Sequence, residues 1–178
     1  ANRPRKRGGA FSSTMTSIPP SGAARLERDL AFSAADFERV RSMIRAKAGI
    51  DLGPAKQNMV YSRLVRRVRE RGDASFGAYL DSLHGESDPE WQEFINCLTT
   101  NLTAFFREPH HFEMLARHLG ALPPGAPVRL WSCAASTGEE PYSIAMTVAE
   151  AGLPPGRVQI EASDIDTRVL ATAAAATY

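Results

Sequence analysis

The sequence predicts an α + α/β protein, with a small N-terminal unit of four helices followed by the first part of a parallel α/β unit. Three observations carry this. Residues 31–100 hold four stretches with apolar residues at helical spacing, each closed by a turn signal. From Val128 to Asp164 the chain reads strand, glycine-bearing turn, helix, strand, acid, which is a Rossmann-like half. Between the two lies a short polar and aromatic stretch rather than a long linker. At 178 residues and 43% hydrophobic composition, the chain is long enough for two small cores.

Residues 1–30 carry Arg3, Arg5, Lys6 and Arg7, then Gly, Ser, Thr and Pro, with no apolar period, and are expected to form a tail. Four charges on such a tail suit nucleic acid or anionic lipid, or are simply solvated. The first helix starts at Ser33-Ala34-Ala35-Asp36, aligns Phe37, Val40, Ile44 and Ala48, and stops at Gly49. After the break at Leu52-Gly53-Pro54, a second helix aligns Met59, Val60, Leu64 and Val68 up to Gly72. Phe76, Tyr79, Leu80 and Leu83 mark a third. Asp88-Pro89 opens a fourth, with Trp91, Phe94, Ile95 and Leu98. A further helix around His110 to Leu119 belongs to the second unit, which takes residues 101–178. The hinge from Leu122 to Pro127 then introduces a buried strand, Val128 to Trp131.

Residues 1–100 hold 16 basic and 12 acidic side chains, and residues 101–178 hold 5 and 8. The basic excess concentrates on the second helix, where Arg63, Arg66, Arg67, Arg69 and Arg71 lie opposite the apolar stripe. Such a field suits nucleic acid phosphates or an acidic protein surface, or is a solvated polar face. No aromatic is interleaved for base stacking. Cys97 and Cys133 fall in stretches expected to be buried and reduced, without metal-ligand spacing. No apolar run reaches the ~20 residues that span a bilayer, and the basic N-terminal stretch is followed by Ser, Pro and Gly rather than by an apolar run. A cytoplasmic protein without membrane insertion is the expectation. Open parallel sheets usually have about five or six strands, so two strands imply a fragment.

Ser136-Thr137-Gly138-Glu139 fits a capping box, which assigns Glu139 to structure and leaves Glu140 at the helix mouth for a ligand. Two carboxylates at a helix N-terminus argue against a pyrophosphate and for a cationic cofactor. G-x-G-x-x-G is absent. Asp164 suits ribose hydroxyls, and Asp166 is placed for that role or for capping the next helix. Thr99 to Glu108 crowds polar groups around Phe105-Phe106-Arg107, as a site wall does, or as a packed hinge. His110 and His111 point about 100° apart on a helix and do not readily share a ligand.

N-L-T-A-F-F-R-E followed by H-F, then S-x-A-x-S-T-G-E-E-P-Y-S-I-A, then A-S-D-I-D resembles the CheR family. These are S-adenosylmethionine-dependent methyltransferases that esterify glutamates of bacterial chemoreceptors. The likeness covers about residues 30–178 and implies a truncated Rossmann-like methyltransferase domain behind a receptor-docking domain. It implies that Asn101, Thr103 and Arg107 line the site of S-adenosylmethionine, whose product is S-adenosylhomocysteine, with Arg107 beside the methyl-transfer centre. It further implies that Glu140 holds the methionine part and Asp164 the ribose. Arg63, Arg66, Arg67 and Arg69 would dock on the cytoplasmic methylation helices of chemoreceptors, in a monomer that binds neither metal nor nucleic acid. Family members continue past the second strand into the rest of the sheet and a small β-subdomain.

Overall fold

The computed structural model describes residues 30–178 except Glu86 and Pro155. Apart from Leu30, the tail expected over residues 1–30 lies outside the described residues.

Helix α1, Ala34–Ala48, begins where Ser33 and Asp36 satisfy each other's backbone: Asp36 N donates to Ser33 Oγ at 3.1 Å, and Ser33 N donates to Asp36 Oδ2 at 2.9 Å. It ends at Gly49, whose φ of 69° is a left-handed conformation open to glycine at little cost. A 3₁₀ turn at Pro54–Lys56 leads into α2, Gln57–Arg71. Helix α3, Phe76–Ser82, is capped by Ser75, and α4 spans Glu90–Leu98. Phe37, Val40 and Ile44 of α1 and Val60, Leu64 and Val68 of α2 meet Phe76, Tyr79 and Leu80 of α3 and Phe94, Ile95 and Leu98 of α4 in one buried core. Leu30 and Phe32 pack against it from the N-terminal side. Burial of each such large apolar side chain contributes about 1.5–3 kcal/mol, so the apolar stripes read in the sequence are what hold the unit together.

The second unit runs α5 (His110–Ala121), β1 (Val128–Ser132), α6 (Glu139–Glu150), β2 (Val158–Ala162) and α7 (Thr167–Ala175). The strands are parallel, in register from Val128 opposite Val158 to Ser132 opposite Ala162. Helix α6 packs on β2, and α5 packs on α6. The strands alternate: Val128, Leu130, Val158 and Ile160 are half-buried, whereas Arg129, Trp131, Gln159 and Glu161 are exposed. This corrects the expectation of a buried strand, because only one face of the two-stranded sheet is covered by helices. Trp131 is 70% exposed and donates from its indole to Ser163 Oγ at 3.0 Å. Cys133, expected to be buried, is exposed, and Cys97 is half-buried.

The units touch where α4 meets α7, and Gln92 Nε2 donates to the Ile165 carbonyl at 2.9 Å. Among the described residues no helix is long and apolar enough to cross a membrane.

Candidate functional site

The turn after β1 is organised by bonds that reach far along the chain. Ser132, buried at the strand's end, donates from Oγ to Glu140 Oε1 at 2.8 Å and so fixes the carboxylate at the mouth of α6. Glu140 is exposed, and its Oε2 is open among the described residues. Ser136 takes a φ of 50°; its N–H donates to Asp164 Oδ2 at 2.8 Å and its Oγ to the Asn101 carbonyl at 3.2 Å. The capping box expected of Ser136 and Glu139 is therefore not formed. Gly138 stands at the N-cap with no side-chain cap, and Glu139 accepts from Thr137 Oγ1 at 2.6 Å. A Cβ on Gly138 would lie 2.3 Å from Tyr178 Oη and 3.0 Å from Ala173 Cα, and its φ is 106°. Both the conformation and the close approach of the α7 end require glycine here.

Asp164, half-buried at the carboxyl end of β2, ties two turns together. Its Oδ2 accepts from Ser136 N, and its Oδ1 accepts from Asp166 N at 2.9 Å. A carboxylate has about four acceptor positions, so both oxygens keep capacity for ligand hydroxyls. Asp166 takes the other role open to it, capping α7 by accepting from Arg168 N at 3.0 Å. It is 1% exposed, and its Oδ2 also accepts from Thr99 Oγ1 at 2.8 Å and Asn101 Nδ2 at 2.7 Å. Burial pushes this carboxyl's pKa up, but the bonds from Thr99, Asn101 and Arg168 outweigh it and hold the group below its ordinary value.

The segment from Thr99 to Pro109 is extended and then sharply turned. Phe106 and Glu108 have φ of 52° and 58°, values rare for side chains of their size and held only where the surroundings enforce them. Ser143 does this on one side: fully buried on α6, it accepts from Phe106 N at 2.9 Å and donates to the Glu139 carbonyl at 2.6 Å. The two phenyl rings part company. Phe106 packs edge-on against Phe112 at 5.2 Å, and Phe105 against Tyr178 at 4.9 Å beside an open apolar groove of about 410 Å³. Arg107 follows the strained residue and is exposed; its guanidinium has no hydrogen bond or ion pair among the described residues. Thr103 is half-buried. Ser132 and Ser143 escaped the sequence reading as site-builders, whereas Thr99 lies in the stretch expected to form a site wall and Asp166 takes the capping role that was one of its two expected roles.

The arginines of α2, read from sequence as one outward field, are divided by the structure. Arg63 donates to the carbonyls of Leu98 and Thr99 at 3.0 and 2.8 Å, closing the end of α4. Arg67 pairs bidentately with buried Glu90, which also accepts from Arg71 Nη1 at 3.1 Å and Tyr79 Oη at 3.1 Å. Burial pushes the Glu90 pKa up, yet these donors, Arg67 first, hold it below its ordinary value. Arg66 and Arg69 are exposed, Arg66 with a loose ion pair to Glu70 at 3.5 Å. No group of His, Cys, Asp and Glu among the described residues is placed to hold a metal ion.

A parallel β-α-β unit with carboxylates gathered at the carboxyl ends of its strands places the second unit in the parallel α/β class. Two family models match the chain. Residues 35–99 match the all-alpha domain of CheR methyltransferase, and residues 101–178 its SAM binding domain. The chain belongs to the CheR methyltransferase family. It is 52% identical over 170 residues to the chemotaxis protein methyltransferase of Salmonella typhimurium, covering 92% of this chain and 58% of that one. Its identity to the Escherichia coli protein of the same name is 53% over 171 residues, with shares of 92% and 59%. Chemotaxis protein methyltransferase 2 of Pseudomonas aeruginosa is 50% identical over 149 residues, with shares of 83% and 53%. The chain thus spans less than two thirds of the length of these relatives.

Proposed function

We propose that this chain is the docking and cofactor-binding part of a protein-glutamate O-methyltransferase. It would transfer a methyl group from S-adenosylmethionine to glutamate carboxylates on the cytoplasmic methylation helices of methyl-accepting chemotaxis proteins. The reading places the protein in the cytoplasm, as a monomer. The observation that carries it is the convergence of Glu140, Asp164 and the Asn101–Arg107 segment on the carboxyl ends of β1 and β2, linked through Ser132 and Ser136. The donor set fits a cationic nucleoside: the open oxygen of Glu140 suits an ammonium, and the spare acceptor positions of Asp164 suit ribose hydroxyls.

When bound, the cofactor supplies an electrophilic sulfonium methyl. The receptor glutamate, with an ordinary pKa of about 4.3, is ionised at neutral pH and needs no general base. What remains for the protein is alignment, which in well-oriented systems accounts for roughly 7–11 kcal/mol of barrier. Glu140 would hold the methionine end of the cofactor and Asp164 its ribose. Arg107, with its unengaged guanidinium on a strained turn, orients the substrate carboxylate. Arg66 and Arg69 steer the acidic receptor helix onto α2, an attraction that weakens with salt.

Calorimetry with S-adenosylhomocysteine tests the site: saturable heat is expected, and Glu140→Ala or Asp164→Ala should abolish it. Transfer of a radiolabelled methyl to receptor cytoplasmic fragments, with label released by mild base, tests the reaction. Arg107→Ala should retain cofactor binding and slow transfer; an unchanged rate would remove Arg107 from the mechanism. Label passing to RNA instead of receptor would overturn the substrate class.

A further inference from the structure

Asp166 has no part in the mechanism above, yet it is the most enclosed carboxylate among the described residues. Two segments close on its carboxylate: Thr99 and Asn101 from the stretch leaving α4, and the first turn of α7. An ionised carboxylate accepts hydrogen bonds and donates none. It therefore engages the Asn101 amide through nitrogen, at 2.7 Å, and turns the amide's Oδ1 away from itself. That Oδ1 receives no hydrogen bond from the described residues, and Asn101 is only half-buried. The Asp166 backbone N–H meanwhile holds Asp164 Oδ1. Ser136 closes the circuit, donating from Oγ to the Asn101 carbonyl and from N to Asp164 Oδ2. The buried carboxylate thus sets the orientation of Asn101, and the backbone N–H of the same residue helps hold Asp164.

We infer that Asp166 is a positioning residue of the cofactor site, which presents Asn101 Oδ1 as an acceptor for an ammonium or hydroxyl of the adenosyl ligand and steadies Asp164 beside it. The inference rests on reading Asn101 and Asp164 as cofactor contacts. In Asp166→Asn the side chain both donates and accepts, so either end of the Asn101 amide satisfies it and the enforced orientation is lost.

The test is calorimetry with S-adenosylhomocysteine on the full chain, on Asp166→Asn, on Asn101→Ala and on the double variant. Loss of a charge-assisted hydrogen bond that orients a contact corresponds to about a tenfold fall in affinity for each single variant. Because Asp166 acts through Asn101, the double variant should bind within about twofold of Asn101→Ala alone, the non-additivity expected of coupled residues. Unchanged affinity in Asp166→Asn overturns the inference, and so does a double variant whose losses multiply, since a merely structural role adds independently. An unsubstituted chain that takes up no ligand overturns the reading of the site itself. The side-chain amide protons of Asn101 give a readout that needs neither ligand nor variant. Their slow exchange in the unsubstituted chain supports the inference, and exchange as fast as that of a solvent-exposed amide overturns it.

Discussion

Among the described residues each unit encloses one carboxylate, and the two are satisfied in opposite ways. Glu90 is surrounded by groups of its own unit, two arginines and a tyrosine, so its charge is neutralised within one core. Asp166 takes its bonds mainly from neutral donors, Thr99, Asn101 and the Arg168 N–H, two of them from the segment that leaves the other unit. Its one ion pair among the described residues, with Arg168 Nε, is 3.5 Å long and half-exposed. The ion cluster locks α2, α3 and α4 against one another, and its removal strands opposite charges. The neutral cluster supplies direction more than attraction, and its removal lets side chains turn. The same chemical group serves stability in one place and placement in the other.

Glu90→Ala breaks this contrast most severely. It leaves the Arg67 guanidinium and the buried Tyr79 hydroxyl without their hydrogen-bond acceptor, while Arg71 keeps Asp73 and Ser82, and a loss of about 3–5 kcal/mol is expected. Chemical denaturation of the two proteins would show it as a lower midpoint at unchanged slope. Acid should act in the same direction. Glu90 and Asp166 are both held below their ordinary values of 4.5 and 3.8, so the unfolded chain takes up protons before the folded one. Their contribution is fully present above those values and drains away as pH falls through the depressed folded-state pKa values. Thermal melts should be flat in this respect above about pH 5 and fall steeply below the unfolded values. Asp166→Asn keeps an acceptor for Thr99 and should cost only about 1–3 kcal/mol by the same denaturation, less than Glu90→Ala. Tyr79→Phe takes one neutral donor from Glu90 while both arginines stay, and about 1 kcal/mol is expected. Least affected is Arg129→Ala, which removes a cross-strand pair with Glu161 on the open face of the sheet. With side chains 74% and 47% exposed, this pair should be worth less than about 0.5 kcal/mol, and a melting shift as large as that of Tyr79→Phe would contradict the reading of that face.

What was legible in the sequence was what is decided within a few residues. Ser33 with Asp36, Gly49 and Gly72 mark helix ends because caps bond locally, and the apolar stripes of α1 and α2 name the core they enter. The strand, turn and helix around Ser132 to Met146 were visible for the same reason. Ser136 misled because its partners, Asp164 and Asn101, lie 28 and 35 residues away and draw it out of the cap position. Arg63 and Arg67 misled likewise: their hydrogen-bond acceptors sit 23 to 37 residues along, and a helical wheel shows only that they avoid the apolar stripe. Cys133 and Trp131 were read as buried because their neighbours are apolar, but burial belongs to whatever covers a strand, and one face of this sheet is not covered.

The chain's two tryptophans fall one to each unit. Trp91 lies edge-on to Phe94 at 5.7 Å, with its indole N–H held by the Gly85 carbonyl, and Trp131 stands on the open sheet face. Each unit therefore carries its own optical label. Fluorescence from Trp131 should be red-shifted and readily quenched by acrylamide, whereas Trp91 should emit at shorter wavelength and resist the quencher. Replacing either with Phe would leave a single-label protein in which the melting of one unit is followed without interference from the other.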